Sequence, residues 1–334
     1  MKHTKLLWFI LFGFLFFAAC SKDDDEETPT PVNESEVLAT YLESTNSPLG
    51  KDFVNTDMPT IMSAEEVHNL NLLGQVYIMD IRSATDFALG HIENANNVTV
   101  ANALTHIEGV DLTPYTKVAI VCYTGQTAGY VASLLRLMGY DKVFSMKWGM
   151  CSWNEFFATG WQNAVANGNT YASQFTATAT DKNALGAMPT LTTGKTTGQE
   201  ILEARVNALL AEGFDPAKIT NQTVFGSLST YYIVNYWPAA QYADPGHIPG
   251  AIQYTPKETI KLAVDLKTLP INKTIVVYCY TGQTSAYLSA YLRLLGYDAK
   301  SLLFGANGMI YDLMVAAGMT TFNNDQIEGY DYVN

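Results

Sequence analysis

Two cysteines occupy the same six-residue setting: Cys122-Tyr123-Thr124-Gly125-Gln126-Thr127 and Cys279-Tyr280-Thr281-Gly282-Gln283-Thr284. They stand 157 positions apart, and over the 20 positions that begin at each cysteine 13 are identical. A thiol acts as a nucleophile through its thiolate. Each cysteine follows a short apolar run and precedes a stretch of helical periodicity, so it marks the end of a strand, a tight Gly-containing turn and the start of a helix. Backbone N–H groups and the positive end of a helix dipole converge at such a place. Settings of this kind lower a thiol pKa from about 8.5 to roughly 3.5–7.5. The chemistry expected is nucleophilic, with a thiolate, a persulfide or a bound anion held by the backbone. A small buried residue closing a strand is the plainer reading, but it does not explain why an identical loop is kept twice.

The elements that must hold these loops can be read from pattern. In the first copy Lys117–Cys122 is a strand of buried type, Tyr123–Thr127 a turn, and Ala128–Met138 a helix stopped by Gly139. The second copy repeats this with a strand at Thr274–Cys279, a helix at Ser285–Leu295 and a stop at Gly296. Further strands are expected at Val76–Asp80 and Tyr231–Val234, and helices at Ala64–Leu72 and Glu200–Ala211. Strands alternating with helices imply an α/β fold with a mostly parallel sheet and helices on both faces. A repeat this long is a whole domain rather than a solenoid unit. The expected organisation is therefore two related domains at 34–165 and 198–334, each with its cysteine loop at a sheet edge facing a helix N-terminus. Residues 166–197, rich in Ala, Thr, Gly and Asn, are read as the linker between them.

The chain has 334 residues, 48% of them hydrophobic, enough for two cores of ordinary size. Its net charge is −13, which argues against a nucleic-acid partner and gives an anionic substrate no long-range steering. The first twenty residues are read as a targeting segment: Lys2, His3 and Lys5 precede an apolar stretch from Leu6 to Ala19 that is short for a membrane span. The stretch ends in Phe17-Ala18-Ala19-Cys20, which resembles the lipobox of bacterial lipoproteins and implies lipidation at Cys20. Residues 21–33 follow as an acidic and proline-containing spacer, beginning Ser21-Lys22-Asp23-Asp24-Asp25. That run resembles the export tag that sends some Gram-negative lipoproteins to the outer face; the expected location is the outer membrane, lipid-anchored, with either face open. With Cys20 lipidated, Cys122, Cys151 and Cys279 remain, and three thiols cannot all pair within one chain. No Cys-x-x-Cys and no His/Cys cluster has metal-ligand spacing, so no metal is expected.

Beyond the two loops, the first copy carries Asp80-Ile81-Arg82, Asp86-Phe87 and Gly90-His91-Ile92, followed later by Gly149-Met150 and Trp153. The second carries Gln241-Tyr242, Gly246-His247-Ile248-Pro249-Gly250-Ala251 and Gly308-Met309. With these motifs the chain resembles a tandem rhodanese over nearly all of its mature length. The resemblance implies a sulfurtransferase that moves a sulfane sulfur from a small donor through a cysteine persulfide to a thiol or cyanide. It implies no cofactor. Cys122 and Cys279 would be the nucleophiles, the remaining loop residues would cradle substrate and persulfide, and Asp80 and Arg82 would support the site as a structural bridge. His91 and His247 would pack and hydrogen-bond rather than act as bases.

The second copy has Asn235 and Trp237 in place of Asp80 and Arg82, which favours Cys122 as the more active thiol. Neither loop contains Lys or Arg, whereas thiosulfate-using members commonly hold the sulfonate with basic loop residues. The neutral loops look nearer to the type that uses 3-mercaptopyruvate, and a polysulfide donor is also open. Two other classes are weighed: a non-catalytic binding module of the same fold on the cell surface, and a phosphatase or arsenate reductase. The latter use a longer loop ending in Arg; these loops have six residues and end in Thr.

Overall fold

The structure is a computed structural model and describes residues 33–334. The apolar leader, Cys20 and the spacer up to residue 32 lie outside the described residues. Two five-stranded sheets form, each wholly parallel. The first is built from β1 (Ile61–Met62), β2 (Val76–Asp80), β3 (Asn96–Asn97), β4 (Lys117–Val121) and β5 (Val143–Met146), in the order β1-β5-β4-β2-β3. The second is built from β6 (Lys218–Ile219), β7 (Tyr232–Asn235), β8 (Ile252–Gln253), β9 (Ile275–Tyr278) and β10 (Ala299–Leu302), in the order β6-β10-β9-β7-β8.

The cysteine-bearing strand is the third of five in both sheets. The loops therefore rise from the sheet centre and not from a sheet edge, which corrects the expected placement. The physical reason lies in the sequence of β4: Val118 and Ile120 face one buried cluster while Ala119 and Val121 face another. A strand buried on both faces needs neighbours on both sides and helices above and below. In β9 the same alternation sends Ile275 and Val277 to the shared core and Val276 and Tyr278 to the outer one.

Five helices matter for the site: α1 (Glu34–Leu42), α2 (Gln126–Leu137), α3 (Thr159–Ala166), α4 (Gly198–Glu212) and α5 (Gln283–Leu294). Helices α2 and α5 lie against each other between the two sheets. Their backbones come close at Gly129, where a Cβ would sit 3.2 Å from the Tyr287 ring, and Ser133 Oγ donates to the Tyr287 carbonyl at 3.0 Å. One hydrophobic cluster runs through this seam and takes side chains from both halves. With a continuous core, the two halves are expected to unfold together rather than as independent units.

The termini reinforce the seam by crossing it. Near the N-terminal end, Ser35 Oγ donates to the Leu295 carbonyl at 2.6 Å and Asn55 Nδ2 to the Ile260 carbonyl at 2.7 Å. At the C-terminal end, Glu328 N donates to Ser152 O and Tyr330 N to Trp153 O, both at 2.9 Å, and Val333 bridges antiparallel to His91. Residues between the halves run along the second: Thr176 bridges His247, and Gly186 N donates to Lys267 O at 2.7 Å.

Candidate active site

Each loop begins where its central strand ends and closes on a glycine in the left-handed region, Gly125 at φ +83° and Gly282 at φ +79°. That conformation is open to glycine and strained for other residues. A side chain there would also collide with a glutamine of the opposite loop. The turn points the following amides back at the cysteine. Cys122 Sγ accepts from Gly125 N at 3.2 Å and Ala128 N at 3.3 Å. Cys279 Sγ accepts from Ser285 N at 3.3 Å and lies 3.6 Å from Ser285 Oγ. Both thiols thus meet the first turn of a 12-residue helix.

The expected depression of the thiol pKa is not found at Cys122. Its side chain is 2% exposed, and burial pushes the thiol up, against the downward pull of the Ala128, Thr124 and Gly125 amides. The Asp80 carboxylate adds to the upward push. Desolvation of a thiolate outweighs the loop dipoles in the resting enclosure. Cys279 is equally enclosed, at 3% exposure. Cys151 sits behind the first loop, donating from Sγ to the Phe157 carbonyl at 3.1 Å, and burial pushes its thiol up to about 11. All three thiols are free.

The other loop residues divide into those near the thiol and those facing elsewhere. Tyr123 is exposed, and its hydroxyl donates to the Asp86 carboxylate. The Thr124 carbonyl accepts from Trp161 Nε1 of α3 at 3.0 Å. Thr127 and Thr284 are half-buried on the first helical turn. Gln126 and Gln283, expected among the substrate-cradling residues, turn their side chains away from their own thiols and across the seam. Gln283 Nε2 donates to Gly125 O and Met146 O, each at 3.3 Å, and Gln126 Oε1 accepts from Phe304 N at 2.7 Å. In the second loop Tyr280 is half-buried with its hydroxyl on Gln241, and Thr281 is buried with Oγ1 accepting from Gln283 N at 3.2 Å.

Asp80 and Arg82 form a buried ion pair beside the first loop. Arg82 Nη2 reaches Asp80 Oδ2 at 2.6 Å and the Gly90 carbonyl at 2.8 Å, while Nε reaches both carboxylate oxygens at 3.0 Å. The pair ties the end of β2 to the turn at Gly90. His91 stacks on Phe87, and His247 stacks on Tyr242 while its ring nitrogens pair with the Tyr242 and Thr178 carbonyls. In the second half the ion pair is replaced by neutral groups. Asn235 Nδ2 donates to Tyr278 OH at 2.7 Å, and Trp237 stacks on Tyr280 with ring centroids 5.5 Å apart. Asn235 Oδ1 and Trp237 Nε1 are buried without a hydrogen-bond partner among the described residues.

This substitution changes the space beside each loop. The first half keeps a cavity of about 200 Å³ walled by Arg82, Asp86, Tyr123, Met150, Phe156 and Phe157. In the second half the fully buried Trp237 indole packs against the loop tyrosine. Asp86 and the two phenylalanines were not among the site residues expected from sequence. The available signal was the contrast between Asp86 and its counterpart Gln241, since both touch the loop tyrosine. Among the described residues no cluster of three or more His, Cys, Asp or Glu side chains could hold a metal ion.

Comparison with known proteins follows from this geometry. The model of the rhodanese-like domain family matches residues 63–156 and again 229–309, so the chain belongs to the rhodanese-like family. Similar solved structures include the 3-mercaptopyruvate sulfotransferase SseA of Escherichia coli, at 16% identity and TM-score 0.26. That alignment covers 75% of this chain and 98% of the other. A thiosulfate sulfurtransferase of Pseudomonas aeruginosa aligns at 15% identity and TM-score 0.28, covering 89% and 71%. A rhodanese-like domain protein of Staphylococcus aureus aligns at 24% identity and TM-score 0.25, covering 27% and 87%. The family assignment rests on the two matched segments.

Proposed function

We propose that the chain is a sulfurtransferase that carries a sulfane sulfur as a persulfide on Cys122. The Cys122 sulfur attacks the terminal sulfur of a small donor of the thiosulfate, polysulfide or 3-mercaptopyruvate class. A new S–S bond forms to Cys122, and the donor's bond to that sulfur breaks, its electron pair leaving with the donor remnant. The thiol proton passes to solvent. A thiol or cyanide then attacks the outer sulfur, and the pair returns to Cys122. No outside oxidant or reductant enters either step. The carrying observation is the position of Cys122 Sγ on the amides of Gly125 and Ala128 at a helix start, next in the chain to Tyr123, which walls a cavity. Backbone donors fixed in advance stabilise anionic sulfur without reorganising during the reaction.

The neutral packing beside the second loop favours a secondary part for the second half. Trp237 stands on Tyr280, and the buried polar atoms there are incompletely paired. The Asp80–Arg82 bridge acts as a support that fixes the first site. Lipidation at Cys20 would place this activity at the outer membrane. The test is sulfur transfer in variants: a steep fall in Cys122→Ser, a smaller one in Cys279→Ser and none left in the double variant. A double variant as active as the native chain would replace this reading with a non-catalytic binding module.

A further inference from the structure

The second thiol has a neighbour that the first lacks. Ser285, on the first turn of α5, meets Cys279 Sγ twice: its amide donates at 3.3 Å, and its hydroxyl lies 3.6 Å away. The repeat places Ala128 at the same position after the first loop, where the amide alone can reach the sulfur, at 3.3 Å. Ser285 Oγ is 2.8 Å from Ser301 Oγ on β10, and the Ser301 hydroxyl donates to the Gly282 carbonyl at 3.2 Å. Both serines are fully buried. Ser145 stands opposite Ile120 in the first sheet as Ser301 stands opposite Val277 in the second. Its Oγ, however, takes a hydrogen bond from Tyr287 OH at 3.2 Å.

Counting protons gives the directions of these hydrogen bonds. A hydroxyl donates one proton and can accept as well. With Cys279 as a thiol, its S–H donates to Ser285 Oγ, Ser285 donates to Ser301, and Ser301 donates to the carbonyl. With anionic sulfur, the Ser285 hydroxyl turns to donate to Sγ while Ser301 keeps the carbonyl. No buried donor is stranded in either state, so the turn avoids the cost of an unmet hydrogen bond. The row ends on a carbonyl, which takes no proton, so it reorients without conducting. The thiol proton passes to solvent.

We propose that Ser285 is a catalytic residue of the second half, its hydroxyl stabilising thiolate at Cys279, with Ser301 as the positioning residue that takes its hydrogen bond while Cys279 is protonated. The part in sulfur transfer rests on the reading given above; the part in thiol reactivity does not. A thiolate opens the loading step and closes the delivery step. In loading, Cys279 Sγ forms an S–S bond to the donor's terminal sulfur, and the bond from that sulfur to the donor remnant breaks, its electron pair leaving with the remnant. In delivery, the acceptor thiolate bonds to the outer sulfur, and the pair of the broken S–S bond returns to Sγ. One hydroxyl on Sγ therefore serves both steps.

Iodoacetamide alkylation of the whole chain, followed peptide by peptide across pH, tests it. Ser285→Ala should slow alkylation of Cys279 near neutral pH about fivefold and move the rise of its rate to higher pH, leaving Cys122 as it was. Ser301→Ala removes the competing acceptor and keeps the Ser285 hydroxyl, so it should leave the Cys279 rate at or above the native one. Sulfur loading, read as added mass on the Cys279 peptide, should follow the same order among the variants. An unchanged pH profile in Ser285→Ala, or equal slowing in Ser301→Ala, overturns the proposal. Slowing of Cys122 and Cys279 together marks a disturbed core and overturns it as well. The expected alkylation pattern with no sulfur taken up by either cysteine upholds the hydroxyl's part and overturns the sulfur-transfer reading instead.

Discussion

Gln126 and Gln283, the fifth residues of the two loops, each reach across the seam to a backbone amide of the opposite half. Trp148 N donates to Gln283 Oε1 at 3.1 Å, and Phe304 N donates to Gln126 Oε1 at 2.7 Å. Both side chains are 1% exposed. The two cysteine loops therefore share a polar joint in which each half supplies the other's missing hydrogen-bond partner. A buried network of this kind is costly to leave half-satisfied.

Gln283→Ala should consequently disturb the site of the opposite half. It strands Trp148 N and removes a donor from Gly125 O and Met146 O, for a cost of about 1–3 kcal/mol. Sulfur loading at Cys122 should fall, although the substituted residue belongs to the Cys279 loop. Peptide mapping of the loaded variant reads this directly. Unchanged loading at Cys122 would show that the joint holds the fold without holding the loop.

The buried Asp80–Arg82 pair yields a stability prediction. Arg82→Ala leaves an unpaired carboxylate with no solvent access and frees the Gly90 carbonyl, so a loss of about 3–5 kcal/mol is expected in denaturant unfolding. A loss below 1 kcal/mol would mean that the enclosure admits water once the guanidinium is gone.

The raised Cys122 thiol sets the direction of pH effects. At neutral pH it is protonated, so alkylation at Cys122 should be slow and should accelerate as pH climbs beyond the ordinary thiol value of about 8.5. Folding stability should move the opposite way. Above that value the unfolded chain ionises first, and stability is lost until pH passes the higher folded value. Rapid alkylation at pH 7 that does not rise with pH would contradict the burial effect.

Phe322 extends the same logic to the C-terminal segment. It is fully buried against Trp148 and Trp161, and Trp161 in turn holds the Thr124 carbonyl. Phe322→Ala should cost about 3–5 kcal/mol and loosen the first loop more than the second. Hydrogen exchange at Gly125 and Ala128, compared with Gly282 and Ser285, distinguishes this from a uniform loss.

Much of the scaffold was legible because its strands are buried on both faces and its repeat is intact. Val76–Asp80 and Ala64–Leu72 were read with the bounds observed. The helices after the loops begin two residues earlier than periodicity suggested, at Gln126 and Gln283, because a left-handed glycine can cap a helix whose first turn is polar. The two-residue strands β1, β3, β6 and β8 carry too little pattern to be read. Spacing also could not show that Gln126 and Gln283 point across the seam, since a loop glutamine facing substrate has the same sequence. The burial that raises the Cys122 thiol comes from the core shared by the two halves, in which it sits, and no local motif encodes it.

The central claim is that Cys122 carries sulfur. Mass spectrometry of cysteine peptides, after the purified protein is incubated with thiosulfate, 3-mercaptopyruvate or polysulfide, tests it most directly. The account predicts one added sulfur atom mainly on the Cys122 peptide, less on Cys279, none on Cys151, and loss of the Cys122 label on adding a thiol. No added sulfur with any of the three donors, or a label on Cys279 alone, would contradict it.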